Sequence, residues 1–231
     1  MNQQQNKKTS PWVYVGIGCL AFVVLGLAGV ATLAYFGVRK AKQFAEEMKD
    51  PRVREAKVKA VLGADSIPEG YHPVVGMSIP LIMDIAVLSD QEPDSEGHSR
   101  DMGERTFIYM NFMSQGKDQR ELQEYFEGKR DDAEALRRAN VHVSSKEVLK
   151  RGAFDQPGYK VLYIAQRGEV SMHGKHREGL TTTMLLQCPR DSRMRMGIWL
   201  GPDPGGQELA GTNADEAAMK GFLGHFKPCG S

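Results

Sequence analysis

The chain has 231 residues and a formal net charge of +1. Two lysines give residues 1–38 a charge of +2, and eight basic against four acidic side chains give residues 39–62 a charge of +4. Residues 63–231 therefore carry −5. This acidic body excludes nucleic acid as a partner, because binding to phosphates requires a basic face on the domain itself.

The first 11 residues form a polar tail, and residues 12–38 follow as 27 consecutive uncharged, mostly apolar residues. A helix of that length spans roughly 40 Å, more than the roughly 30 Å hydrocarbon core of a bilayer. The apolar region of a cleaved signal peptide is shorter, at about 7–15 residues, although Thr32-Leu33-Ala34 resembles a cleavage site. We therefore expect a retained single transmembrane helix over residues 12–38.

The ends of this predicted span match the two membrane–water interfaces. Aromatic rings favour the headgroup level, and basic side chains lie just outside it. Cys19 lies near the start of the apolar run, whereas a lipoprotein would need a cysteine after it. The bilayer is thus the first predicted partner, and the expected interface residues are Trp12, Tyr14, Tyr35, Phe36, Arg39 and Lys40.

Residues 39–64 are predicted to form a basic juxtamembrane helical segment. Asp50 and Pro51 are typical of a helix start, and Gly63 of a helix end. The basic side chains of this segment favour contact with anionic headgroups, at about 1 kcal/mol for each Lys or Arg near the surface. The alternative is a helix that is simply solvated.

Residues 65–231 are predicted to form one α+β globular domain. Apolar runs broken by Gly76 and Pro80 indicate two strands within residues 71–90. A capping box over residues 213–216 opens a last helix with apolar side chains at helical spacing. Consecutive strands with short links favour an antiparallel sheet covered by helices. The remaining predicted elements are a strand at 105–113, a helix at 117–140, and strands at 141–150, 159–170, 179–188 and 193–200.

This element order resembles the Mog1/PsbP/DcrB-type domain, an antiparallel sheet between helices. The resemblance covers residues 70–226, with the Glu69-Gly70-Tyr71 entry before the first strands and the aromatic pair Phe222 and Phe226 in the last helix. It lies in element order, without a diagnostic motif, so no functional residue is carried over. The resemblance implies a non-catalytic accessory or binding role within a larger assembly.

The cysteines and the flanking charges disagree about the side of the membrane that the domain faces. Basic residues after the span outnumber those before it, which favours a cytoplasmic domain. Cys188 ends a predicted strand and Cys229 follows the last predicted helix, so the pair suits a disulfide in an oxidising compartment. Two free buried cysteines are the alternative. We expect the disulfide, with the domain on the periplasmic, extracytoplasmic side of a bacterial inner membrane.

Other candidate sites are less specific. Arg193, Arg195 and Trp199 alternate along the last strand and are interpreted as an exposed contact patch, with a plain solvated face as the alternative. The acidic loop around Glu92 and Asp94 lacks the position-12 glutamate of a calcium loop. His173 and His176 are too few for structural zinc. No catalytic, metal or cofactor site is predicted.

The sequence thus favours a membrane-anchored accessory module that binds another envelope protein or a small ligand. An envelope enzyme of hydrolase type, with a site assembled from residues such as His142, His173 and Asp191, is the second hypothesis. A cytoplasmic-facing scaffold held at the inner leaflet by residues 39–62 is the third, and it predicts free thiols on Cys188 and Cys229.

Overall fold

The computed structural model describes residues 39, 43–94, 103–113, 116–130, 143–172, 175–189, 191–206 and 208–230. The chain divides into two compact units, Met1–Glu47 and Met48–Ser231. In the first unit Arg39 is exposed, and Gln43 donates a hydrogen bond to Glu47 one helical turn later. The other predicted interface residues, with the predicted span itself, lie outside the described residues: Trp12, Tyr14, Tyr35, Phe36 and Lys40. Among the described helices, none is long and apolar enough to cross a bilayer.

The described part of the second unit forms seven strands and three helices. The helices are α1 (Pro51–Leu62), α2 (Gly116–Phe126) and α3 (Glu216–Leu223). The strands are β1 (His72–Ile79), β2 (Met83–Ser89), β3 (Thr106–Met113), β4 (Val143–Gln156), β5 (Tyr159–Met172), β6 (Lys175–Gln187) and β7 (Arg193–Gly201).

All seven strands belong to one antiparallel sheet with the order β1-β2-β3-β7-β6-β5-β4. The predicted α+β class with an antiparallel sheet is therefore confirmed. Strands β1 to β3 form one half of the sheet, and strands β4 to β7 form the other. The last strand, β7, joins the two halves because it pairs with β3 as well as with β6. That placement connects residues far apart in the chain, and strand periodicity carries no information on it.

Helix α1 belongs to the compact unit that begins at Met48, whereas the sequence prediction started the globular domain at residue 65. Asp50 caps its first turn, and Gly63 ends it with φ 62°. Val58 and Leu62 are buried in the main core, and a Cβ on Gly76 of β1 would lie 2.6 Å from the Val58 nitrogen. The inner face of α1 is thus committed to the sheet and is not available to a membrane surface.

Helix α2 ends at Phe126, well before the predicted end at residue 140. The N–H of Gly128 donates to the Tyr125 carbonyl, and the N–H of Lys129 donates to the Glu124 carbonyl. These two bonds, with Gly128 at φ 75°, form a Schellman motif, which closes a helix. Residues 131–142, which contain the rest of the predicted helix and His142, lie outside the described residues.

Helix α3 begins two residues later than a capping box on Asn213 would place it. Asp215 is the cap residue and accepts from the Ala217 N–H. Asn213 instead donates to the backbone carbonyls of Leu180 and Trp199, on β6 and β7. The buried amide therefore ties the loop before α3 to the sheet.

The core lies on both faces of the sheet. On one face an aromatic cluster joins β3, β7 and α3, where the Trp199 ring stacks on Phe222 at 4.3 Å and Phe107 meets Phe222 at 4.9 Å. The indole N–H of Trp199 donates to the Tyr71 hydroxyl at 2.7 Å. On the other face α2 buries Leu122 and Phe126 against β5, β6 and β7.

Candidate functional site

Five elements meet at one end of the sheet, which we call the tip end. The strand registers place the β1–β2 turn, the last residue of β3, the first residue of β7 and the last residues of β6 at this end. Helix α2 starts there as well, because Gly116 follows Met113 closely in the chain. The tip end carries an apolar tip and an open cleft with a mixed polar and apolar lining.

The apolar tip consists of Leu81, Ile82 and Met113, which are 88%, 60% and 58% exposed. The Met113 N–H donates to the Ile82 carbonyl at 3.4 Å, so β3 supports the turn from one side. Large apolar side chains exposed singly are common, but three that adjoin at one end of a sheet form a candidate interaction surface.

The turn that presents the tip has the features of a type II β-turn. The Ile82 N–H donates to the Ile79 carbonyl at 3.0 Å, Pro80 occupies the second position, and Leu81 occupies the third with φ 65°. Glycine or asparagine is the usual residue at the third position because it requires a positive φ. Leu81 is the one non-glycine residue with positive φ in the described part of the chain.

A row of polar side chains fixes the strands directly below the tip. Asp84 accepts hydrogen bonds from the Ser78 hydroxyl and from the Asn111 amide at 2.9 Å. Its carboxylate also lies 3.4 Å from an Arg193 guanidinium nitrogen. The row links β1, β2, β3 and β7, so the strands that carry the apolar tip are held together by polar contacts.

The end cleft opens between the start of α2 and the adjoining ends of β6 and β7, with a volume of about 330 Å³. The Gln119 side chain donates to the Ser192 carbonyl and holds α2 against the sheet. Lys117 and Arg120, both on α2, are exposed. Neither forms an ion pair with a carboxylate in the described ranges. The polar lining of the cleft comprises Gln119, Arg120, Gln123, Gln187, Asp191 and Arg193.

The carboxylate of Asp191 in the cleft is held by neighbours on β7. It accepts from the Arg193 backbone N–H at 2.9 Å and pairs with the Arg195 guanidinium. The backbone N–H of Arg193, followed by the Arg195 guanidinium, lowers the pKa of Asp191 below its ordinary value. A carboxylate stabilised in this way is a weak base, and the lower pKa suits a structural role more than proton abstraction.

The C-terminal segment closes the side of the tip end. Cys188 at the end of β6 and Cys229 form a disulfide with their Cα atoms 5.5 Å apart, within the usual span of such bonds. Arg195 donates to the Pro228 carbonyl at 2.9 Å. The disulfide and the arginine together anchor residues 228 and 229 to β6 and β7.

The predicted contact patch on β7 is wrong. Arg195 and Trp199 are only 4% and 7% exposed, because α3 and the C-terminal segment cover that face of the sheet. Arg193, the third member, is half-buried beside Asp84. Alternation along β7 correctly grouped the three side chains on one face but could not show that a later helix covers it.

Other candidates from the sequence do not form a site in the described part of the chain. His173 lies outside the described residues, as does most of the acidic loop that follows Glu92 and Asp94. Within the described ranges, no group of three or more His, Cys, Asp or Glu side chains could hold a metal ion. Asp191 is accounted for by its pairing with Arg195.

Sequence reasoning missed the apolar tip. A signal was present, since Ile79, Leu81, Ile82 and Met83 surround a proline in a position predicted to separate two strands. Four apolar residues at a turn are unusual, because turns are normally polar. The exposure of these side chains, however, depends on where the helices lie, which the local pattern does not give.

No protein-family model, curated protein or solved structure matches the chain. The features of the molecule that bear on its function are therefore those of the tip end.

Proposed function

We propose that the chain is a single-pass protein of the bacterial inner membrane whose C-terminal domain is a non-catalytic binding module. The module lies on the extracytoplasmic side and takes another envelope protein or a small ligand at the end cleft. The observation that carries this proposal is the cleft, which is open and combines apolar walls with side chains suited to hydrogen bonding.

The charges around the cleft support binding over catalysis. General acid–base chemistry requires a titratable group with a pKa near the working pH. The described carboxylate in the cleft, Asp191, has a lowered pKa and is engaged by Arg193 and Arg195. Amides do not titrate near neutral pH and recognise polar groups well. The side chains of Gln119 and Gln123 already donate to the Ser192 carbonyl and to Glu127, so their amide oxygens, with the Gln187 amide, are the groups offered to a ligand.

The membrane location is supported by the 27 uncharged residues from 12 to 38, whose length suits a bilayer. The extracytoplasmic side is supported by the Cys188–Cys229 disulfide, because such bonds persist in oxidising compartments and are rare in the cytosol. Together these features favour the binding module over the cytoplasmic scaffold, for which free thiols were expected.

Thiol labelling in intact cells tests the location. In a Cys19→Ser background only Cys188 and Cys229 remain, since the chain has three cysteines. A maleimide that does not cross the inner membrane should react with both after reduction and with neither before it. Labelling without reduction, seen only after the cells are lysed, would place the domain in the cytoplasm and overturn the proposed side.

Site-specific crosslinking tests the cleft. Gln123 is exposed and lines the cleft, so a photoreactive amino acid there should give one discrete adduct in cells. The same amino acid at Glu208, exposed in the loop before α3, is the matched control and should give none. The Gln123 adduct should also decrease in an Arg120→Ala background. An adduct that is equal at both positions would reject the cleft as the binding site.

A further inference from the structure

The apolar tip contains a strained backbone conformation at Leu81 that neither local folding nor core packing explains. Leu81 adopts φ 65°, a left-handed conformation that glycine or asparagine reaches with less strain. Its side chain is 88% exposed, so it gives little burial in return. Strain of this kind persists where a function requires the side chain, and it is a starting point for a functional hypothesis.

We propose that the apolar tip docks into the lipid surface of the membrane that holds the protein, with Lys117 and Arg120 against anionic headgroups. This inference rests on the proposed membrane anchor. It adds a second, reversible contact between the domain and the bilayer. Leu81, Ile82, Met113 and Lys117 lie outside the end cleft, whereas Arg120 also lines it.

The shape of the tip suits insertion into lipid. Leu81 and Ile82 project from a turn beyond the last strand pair, and Met113 lies beside them on β3. A projecting apolar turn enters the headgroup–acyl boundary without needing a matching cavity, as the apolar face of an interfacial helix does.

The charge at the tip end also favours an anionic lipid surface. Lys117 follows Met113 by four positions, and Arg120 lines the cleft beside Arg193, which pairs in register with Met113. Lys117 and Arg120 are both exposed and form no ion pair with carboxylates of the described ranges. The carboxylates of Asp84 and Asp191 at this end are engaged by Arg193 and Arg195. Lys117 and Arg120 therefore add exposed positive charge to the tip end of an otherwise acidic domain.

The connection between the predicted span and the compact unit keeps the domain near the bilayer. Only nine residues, 39–47, separate Val38 from Met48, and the ten Cα steps between them span at most about 35 Å in an extended chain. A tether this short gives the tip a high effective concentration at the surface, so a weak contact is sufficient.

Depth-dependent fluorescence quenching on the full chain tests the docking. The Cys19→Ser chain with Leu81→Cys carries an environment-sensitive dye at residue 81, with no reductant so that the native disulfide stays unreactive. The labelled chain is reconstituted into vesicles of phosphatidylcholine with and without phosphatidylglycerol. With anionic lipid we expect a blue shift and a loss of emission when the lipids carry nitroxide at the headgroup boundary.

Two controls make the experiment specific. The same dye at Val148→Cys, an exposed apolar position on β4, should stay in water in both vesicle types. With the dye at Met113→Cys, Leu81→Asn should remove the blue shift, while the asparagine fits the turn and keeps the fold. Lys117→Gln and Arg120→Gln should each lower the docked-to-undocked ratio by about fivefold, which corresponds to about 1 kcal/mol for each basic residue at a lipid surface.

Flotation separates failure of the anchor from failure of the tip. A chain that does not float with the vesicles would reject the anchor. A chain that floats while the dye at residue 81 remains in water would overturn the docking and leave the anchor and the cleft intact. A blue shift that grows with protein density and is insensitive to nitroxide lipid would mean that a second copy covers the tip, which also overturns the proposal.

Discussion

Strand β3 has apolar side chains in two opposite environments. Near its start, Phe107 is fully buried and meets the rings of Phe222 and Phe226. At its end, Met113 is 58% exposed and joins Leu81 and Ile82 in the apolar tip. The strand is apolar along most of its length, so its hydrophobicity does not decide burial. Burial is decided by whether a helix packs over that part of the strand, and only the uncovered end remains available to a partner.

The largest effect is expected in the covered region. Phe222→Ala should lower the free energy of unfolding by about 3–5 kcal/mol, because it removes the ring between Trp199 and Phe107 and leaves a cavity. Urea unfolding followed by circular dichroism measures this loss. Leu81→Ala, at the uncovered end, should change it by no more than about 0.5 kcal/mol. Similar losses at both positions would mean that the tip is packed in solution.

The disulfide should have the next largest effect. Cys229→Ser should lower the free energy of unfolding by about 2–4 kcal/mol, because the bond constrains the unfolded chain over a separation of 41 residues. Cys188→Ser should match it, and the double variant should be no worse than either single one. Reduced wild-type protein should equal the variants. A wild type that is insensitive to reductant would show that the thiols are not bonded in the isolated protein.

The folded protein should be more stable when the leucine of the tip is replaced by asparagine. Leu81→Asn should raise the free energy of unfolding by about 1 kcal/mol, because asparagine tolerates the left-handed conformation better. Ile82→Asn is the matched control: it is the next residue, exposed and without a positive φ, so it should bring no gain. An unchanged or lower stability for Leu81→Asn would mean that the leucine contributes packing that outweighs its strain.

The smallest effect concerns pH. Because the folded-state pKa of Asp191 is lowered, chiefly by the Arg193 N–H and then by Arg195, the carboxylate stabilises the fold above its unfolded pKa of about 3.9. This stabilisation is lost as pH falls through the lower folded pKa. Thermal unfolding should therefore show a steeper acid loss below about pH 4 in wild type than in Asp191→Asn. Parallel curves would show that Asp191 contributes nothing to acid sensitivity.

Predictions based on local signals agree well with the structure. Asp50, Pro51 and Gly63 bound α1 as expected, because capping and turn chemistry depend on adjacent residues. The alternation in β7 correctly placed Arg195 and Trp199 on one face. Predictions that required knowledge of distant contacts were less successful. Arg195 was expected to be exposed, yet it is buried between Asp191 and the Pro228 carbonyl.

The sequence by itself determined the antiparallel α+β class, the strand-rich body and the uneven distribution of charge along the chain, because periodicity and charge are local properties. It also singled out Cys188 and Cys229 as a candidate pair, while leaving free thiols as the alternative. Only the tertiary structure decided which apolar residues are covered. It placed β7 between β3 and β6, stacked Phe222 on Trp199, and left Leu81 and Ile82 exposed. The physical reason is that burial depends on helices and strands far apart in sequence, whereas a turn with Pro80 at its second position forms from its own four residues.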